Sequence, residues 1–270
     1  MDILLTIAEL CLFASLRVMA VRFLIVPGIA KASVALNFGS KARGKLLGYV
    51  TSVPELVIVI SSAAAGVFDA GFWNIASSNI INWCLFLSAV FAFRQSPDLR
   101  HHTSVDEIAF GLFSVLLPLA LLKYEIPTSA SLAVVLLLVF VAYKALDRRL
   151  NPKVRGLEMN RGYRSKLLPA LSAVAAGSIA IVVAGYNLGI VAKELVVELG
   201  VPAWMIGWIL GIISSIPELS GFFEVYRKYK RAGALEGIND TQEALDTLVA
   251  SNMSNLCVIL PVGIFLVTLL

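Results

Sequence analysis

Eight apolar runs, each long enough to cross a lipid bilayer, constrain this chain more than any other feature. They fall at about 3–25, 44–67, 71–93, 105–123, 128–146, 167–191, 202–226 and 242–269. A helix of about 20 apolar residues spans a hydrocarbon core about 30 Å thick. Only helices and closed barrels satisfy their own backbone there. The expected fold class is all-α: a polytopic membrane protein of about eight transmembrane helices. Composition agrees, with 59% hydrophobic and 15% charged residues, against about 25% charged in soluble domains. The first run begins with Asp2 rather than a basic segment, and no small-residue cleavage site follows it. It reads as a span, not a cleaved signal peptide.

The basic residues sort by loop. Lys31, Lys41, Arg43 and Lys45 lie between the first two spans, and Arg94 and Arg100 follow the third. Arg148, Arg149, Lys153, Arg155, Arg161, Arg164 and Lys166 follow the fifth, and Arg227, Lys228, Lys230 and Arg231 follow the seventh. If eight helices alternate, all four loops share one side. The positive-inside rule makes that side cytoplasmic and places both termini outside. The net charge of +4 reads as a topology signal, not as a nucleic-acid surface. The stretch 147–166 is polar and contains Pro152, Gly156 and Gly162. It is expected to link a first half, 1–146 (helices one to five), to a second half, 167–270 (helices six to eight). Cys11, Cys84 and Cys257 sit in apolar stretches without CxxC spacing, so they read as packing residues. His101 and His102 fall in a loop and read as solvated.

Two motifs occur twice, in the same order. TSVPEL at 51–56 pairs with SSIPEL at 214–219, and SNIIN at 78–82 pairs with SNMSN at 251–255. Cys84 and Cys257 each follow the second motif by two residues. A charged insertion at 227–241 lengthens the second copy. Alternation makes the second and seventh helices antiparallel, so the two copies are expected to be inverted-topology repeats with Pro-interrupted helices at the midplane. Transporters built this way place the substrate near the midplane, where the repeats meet.

The motif chemistry points to a cation. A carboxylate at the bilayer centre costs at least about 2.5–3.5 kcal/mol on insertion scales. Glu55 and Glu218 lie deep in their helices, and no Lys or Arg lies near the centre of helices two, three, seven or eight. A bound cation is the simplest partner for them. Pro54 and Pro217 lack an N–H, which is expected to free carbonyls around Val50 and Ile213. Thr51, Ser52, Ser214 and Ser215 add hydroxyls, and Ser78, Asn82, Ser251 and Asn255 add further oxygens at an i,i+4 spacing. An all-oxygen set suits hard cations such as calcium or sodium, and not zinc or copper. Glu9 and Arg17 of the first helix read as anchors or as partners of other groups.

At these residues the sequence resembles the calcium:cation antiporter superfamily, particularly sodium/calcium exchangers. That family's repeats carry a G-[ST]-S-x-P-E pattern and then a G-S-N-x-x-[ND] pattern. TSVPE and SSIPE match the first; SSNIIN and ASNMSN match the second. The resemblance implies that Glu55, Glu218, Thr51, Ser52, Ser214, Ser215, Ser78, Ser251, Asn82 and Asn255 line the ion sites. It implies transported Ca2+ with Na+ or H+ as counter-ion, and no organic cofactor. The sequence departs at Ser77 and Ala250, which replace glycine, and at Asn82 and Asn255, where the family often has one Asp. The family usually has ten helices, five per half. Against that, the last two are expected to be absent here, their wall supplied by a second copy or a small partner protein.

The expected activity is secondary active antiport, not enzymatic. Two carboxylates balance one calcium or two monovalent ions, which implies exchange less electrogenic than a three-sodium cycle. SVPE and SIPE lack the G-N-x-x-E of proton/calcium exchangers, which favours sodium. Helices one and six are expected to slide across the motif core, with Gly177, Gly185, Ala175 and Ala176 allowing close contact. The alternatives are a cation channel and a non-transporting scaffold of the same fold. A serine-based intramembrane enzyme lacks an activating base beside Ser52 or Ser215.

Overall fold

The structure, a computed structural model, describes residues 3–36, 38–150, 167–231, 233, 235 and 238–269. The described residues are helical almost throughout, and eight helical runs are long and apolar enough to cross a membrane. The first run joins α1 (Ile3–Ala20), a π-helical segment at Val21–Ile25 and α2 (Val26–Ala35). The second is α3 (Ser40–Thr51) followed by α4 (Val53–Ala64), and the third is α5 (Phe68–Ala92). Then come α6 (Val105–Lys123), α7 (Ala130–Leu150) and α8 (Leu167–Lys193), the last extended by a π-helical segment at Glu194–Glu198. The seventh run is α9 (Ala203–Arg231). The eighth joins α10 (Asn239–Ser254), a π-helical segment at Asn255–Ile259 and α11 (Leu260–Leu269). The chain is an integral membrane protein.

Several runs exceed expectation because their charged ends stay helical. The first reaches Ser33 and includes Lys31, and the seventh reaches Arg231. At about 1.5 Å per residue, runs of 29 to 32 residues exceed the hydrocarbon core, so the extra turns tilt or stand in the headgroup layer. The expected linker at 147–166 lies mostly outside the described residues; 147–150 belong to α7.

The core is built on two close helix pairs, α5 with α9 and α3 with α10. Glycines make both possible. A Cβ on Gly44 would meet the Glu243 carbonyl, and one on Gly48 would meet the Thr247 carbonyl. A Cβ on Gly207 would strike Trp73, and one on Gly211 would strike Ser77. The four glycines occupy the same places in GKLLGYVTSVPEL (44–56) and GWILGIISSIPEL (207–219). Small residues let helix backbones approach where lipid offers no hydrophobic drive between helices. α8 packs against α1, α2 and α4 on one side, and α6 and α7 pack against α10 and α11 on the other. On α8, Gly177 faces Leu24 and Ile25, and Gly185 faces Val57. Ala175 and Ala176 are exposed and take no part in that contact.

Charged pairs gather several helix ends at one end of the molecule. Lys41 at the start of α3 reaches Glu107 on α6 at 2.7 Å and Asp147 on α7 at 3.2 Å. Glu243 on α10 takes Arg43 of α3 and Lys228 of α9, each at 3.1 Å. Thr241 on α10 donates to Asp98, between α5 and α6, at 2.7 Å. The histidines, His101 and His102, are exposed, as expected for a loop.

Candidate functional site

The two Pro-Glu motifs differ locally. In the first copy the helix stops at Thr51, and Ser52 turns into α4, where Pro54 takes a first-turn position that needs no N–H partner. The Val50 carbonyl, expected to be free, takes the Ser52 N–H instead. In the second copy no break occurs, contrary to expectation: α9 is one helix from Ala203 to Arg231 with Pro217 inside it. A membrane helix tolerates an internal proline when local adjustment re-satisfies the freed backbone groups.

The ten expected site residues are all buried, none more than 1% exposed. Glu55 and Glu218 are within electrostatic range of one another. The Ser214 hydroxyl of one copy lies beside Glu55, and the Thr51 hydroxyl of the other lies beside Glu218. Neither reaches hydrogen-bond geometry, and none of the four carboxylate oxygens accepts a hydrogen bond from the described residues. Thr51, Ser52, Ser78 and Ser214 turn their hydroxyls onto the carbonyls of Gly48, Gly48, Ile75 and Gly211, and Ser78 also accepts from the Asn255 amide at 3.5 Å. Ser52 also meets the Ser251 hydroxyl at 3.0 Å. Ser215 has no hydrogen-bond partner among the described residues.

Four asparagines join α5 to the junction of α10 with its π-helical segment by reciprocal bonds. Asn82 donates to the Asn252 amide oxygen and Asn255 donates to the Asn79 amide oxygen, each at 3.0 Å. Asn79 donates to the Asn252 carbonyl at 3.3 Å, and Asn252 donates to the Asn79 carbonyl at 3.0 Å. The amide oxygens of Asn82 and Asn255 are left without a donor. Asn79 and Asn252 are not among the residues that sequence reasoning picks out, although both stand inside SNIIN and SNMSN. Their orienting role follows from the amides they hold.

The motif helices carry no cation near their centres, as expected, but a bound ion is not the sole counter-charge for Glu55 and Glu218. Arg17 of α1 reaches in from outside the motifs, with its Nη2 3.7 Å from Glu55 Oε1 and both side chains fully buried. It is also in electrostatic range of Glu218. The available signal was an arginine inside an apolar run, because an ionisable residue at membrane depth has to meet a partner there. The two cysteines at equivalent places in the motifs also diverge: Cys257 is buried and Cys84 exposed. Among the described residues no group of three or more His, Cys, Asp or Glu is arranged to hold a metal.

No curated protein sequence matches the chain. Solved structures do. A sodium-calcium exchanger, NCX_Mj, from crystals soaked with sodium and strontium is 18% identical, with a TM-score of 0.59 over 98% of this chain and 83% of that one. The same exchanger soaked with sodium and calcium gives 20% identity and a TM-score of 0.56 over 98% and 83%. An H+/Ca2+ exchanger, CAX, gives 15% identity and a TM-score of 0.62 over 96% and 69%. At such identities the likeness is one of fold. The family model described as sodium/calcium exchanger protein matches residues 6–146, just over half of the 270. The chain therefore belongs to the sodium/calcium exchanger family, a family of membrane ion transporters.

Proposed function

We propose that this protein exchanges Ca2+ for Na+ or H+ across a membrane, at a midplane site made by Glu55 and Glu218. The observation that carries the reading is a set of seven buried side-chain oxygens without a hydrogen-bond donor among the described residues. Each glutamate supplies two, and Asn82, Asn255 and Ser215 supply one each. Burying so many unpaired acceptors is costly unless a partner arrives. Calcium takes six to eight oxygen ligands. Thr51, Ser52, Ser78, Ser214 and Ser251 complete the surroundings. The names of the fold relatives agree, one a sodium-calcium exchanger and the other an H+/Ca2+ exchanger.

In this reading the halves 1–146 and 167–270 are inverted repeats. The reciprocal asparagine bonds and the matched glycine pairs support that relation, because each has a counterpart 163 or 173 positions on. The gathered basic end faces the cytoplasm, and the termini lie outside. α1 with α2, and α8, move over the motif core.

Calcium-45 uptake into proteoliposomes tests the site, with an imposed sodium or proton gradient. Glu55→Gln and Glu218→Gln each should abolish gradient-dependent uptake while the protein stays folded. Undiminished uptake in both variants would overturn the assignment. Uptake with no dependence on either counter-ion would point to a channel.

A further inference from the structure

We infer that Arg17 is a tethered counter-cation: its guanidinium stands in for a transported monovalent ion at Glu55, and calcium binds by displacing it. The inference rests on the two-glutamate reading and goes beyond it.

Three observations converge. First, Arg17 is fully buried, and an arginine keeps its charge under any ordinary condition. Such a charge persists in the membrane only against a counter-charge. Glu55 is the one carboxylate within 4.0 Å of it among the described residues. Second, the contact is loose. A guanidinium in a structural role grips a carboxylate with two parallel hydrogen bonds. Here Nε, Nη1 and Nη2 make none with the described residues, although both oxygens of Glu55 are without a hydrogen bond. The charge is matched and the geometry is left open. Third, Arg17 sits on a different element from both glutamates, four residues before the π-helical segment at Val21–Ile25. Such segments are frequent at functional sites and shift the register of the downstream turns.

Charge counting gives the consequence. Two glutamates and Arg17 sum to one negative charge. A single monovalent cation beside Arg17 neutralises the site. Calcium beside Arg17 would leave it with a positive charge in a hydrocarbon environment, whereas calcium in place of Arg17 neutralises both acids. The two monovalent ions expected from the carboxylates alone become one, and each cycle carries one net positive charge in the direction of calcium. An arginine that stayed on Glu55 would leave the calcium-loaded site with one positive charge; displacement leaves it neutral.

Calcium titration of the purified protein at fixed pH, with sodium as competitor, tests this. Arg17→Gln should tighten calcium binding at least about tenfold, the scale of one close buried charge contact. It should also raise the Hill coefficient of sodium competition from about one toward two, the count of freed carboxylates. Arg17→Lys, which keeps the charge, should stay near the parent. Unchanged or weakened calcium binding in folded Arg17→Gln would overturn the inference while Glu55→Gln still abolishes binding. Should Arg17→Gln not fold, a structure of the parent chain soaked with strontium decides. Arg17 withdrawn from Glu55 with strontium between the carboxylates supports the inference. Arg17 still at Glu55 beside the bound ion overturns it. Strontium absent from the carboxylates overturns the two-glutamate reading, and the inference falls with it.

Discussion

Two clusters of buried charge lie in this molecule, and they are finished differently. At the end where the basic segments gather, Lys41 and Lys45 meet Glu107, Asp147 and Asp246, and every acid has a lysine within 4 Å. Lys41 keeps 27% of its side chain exposed, so water shares the burden. At the centre, Glu55, Glu218 and Arg17 are sealed from solvent, the single close contact is 3.7 Å, and Glu218 has no cation within 4 Å among the described residues. The outer cluster ties α3, α6, α7 and α10 together through those lysines, although neither Asp246 oxygen accepts a hydrogen bond from the described residues. Each cluster holds one acid more than it has bases, but the inner one leaves an acid, Glu218, without a close cation among the described residues. A buried acid without a close counter-charge is costly to stability, and under the proposed function that cost belongs to the ion site.

The sharpest way to break that comparison is to neutralise each cluster in turn and read transport. Glu55→Gln with Glu218→Gln should lower gradient-driven calcium uptake by at least about 30-fold, since losing a buried charged partner costs about 2–5 kcal/mol. Asp147→Asn with Asp246→Asn should leave uptake per folded molecule within about threefold and lower the melting temperature instead. Equal loss of uptake from both pairs, at equal folded yield, would make the outer cluster part of the pathway and end the distinction.

Much of the inner cluster was legible in the sequence because it is written in local, repeated words. TSVPEL and SSIPEL put an acid and hydroxyls on one short stretch each, and SNIIN and SNMSN set their polar side chains by helical spacing. Eight apolar runs were equally plain, since length and hydropathy need no partner. What escaped depends on packing between distant segments. Arg17 lies 38 residues before Glu55, and nothing local says that α1 turns it inward. The state of the Val50 carbonyl depends on how one turn relaxes, which proline spacing does not specify. The near-identical motifs gave no sign that the helix would break at Ser52 and run on through Pro217. The glycines were visible as letters, yet their purpose appears only beside Thr247, Trp73 and Ser77.

Those glycines sharpen the comparison next, because they hold the helices that carry the central acids. Gly48→Leu should cost about 3 kcal/mol or more, the scale of forced overpacking, since its Cβ would already meet the Thr247 carbonyl and the Ala250 Cβ. Gly211→Leu should behave alike, striking Ser77. Gly221 is the control on α9: a Cβ there meets only Leu47 Cδ2 at 3.8 Å. Gly221→Ala should hold or raise stability, by up to about 1 kcal/mol, from helix propensity. Thermal unfolding in detergent reads all three. A tolerant Gly48→Leu would mean that α3 and α10 are not in backbone contact, and the central site would lose its frame.

The smallest effects test whether the outer cluster is a closed structural unit. Asp147 pairs with both Lys41 and Lys45, so Asp147→Asn takes the nearest acid from Lys45 and leaves it Asp246 at 3.7 Å, while Lys41 keeps Glu107. A loss of about 1–3 kcal/mol in unfolding stability is expected. Arg231 and Glu224 form a pair of the same chemistry at 3.3 Å, but 72% and 49% exposed. Arg231→Gln should change stability by less than about 0.5 kcal/mol, because solvent screens the pair and both side chains are freed on breaking it. The same contrast should appear with salt: raising ionic strength weakens the exposed pair toward nothing and leaves the Asp147 effect largely intact. If Asp147→Asn proved as mild as Arg231→Gln, the outer charges would be a solvated rim. Their contrast with Glu55, Glu218 and Arg17 would then reduce to depth alone, with no difference in how completely each cluster is paired.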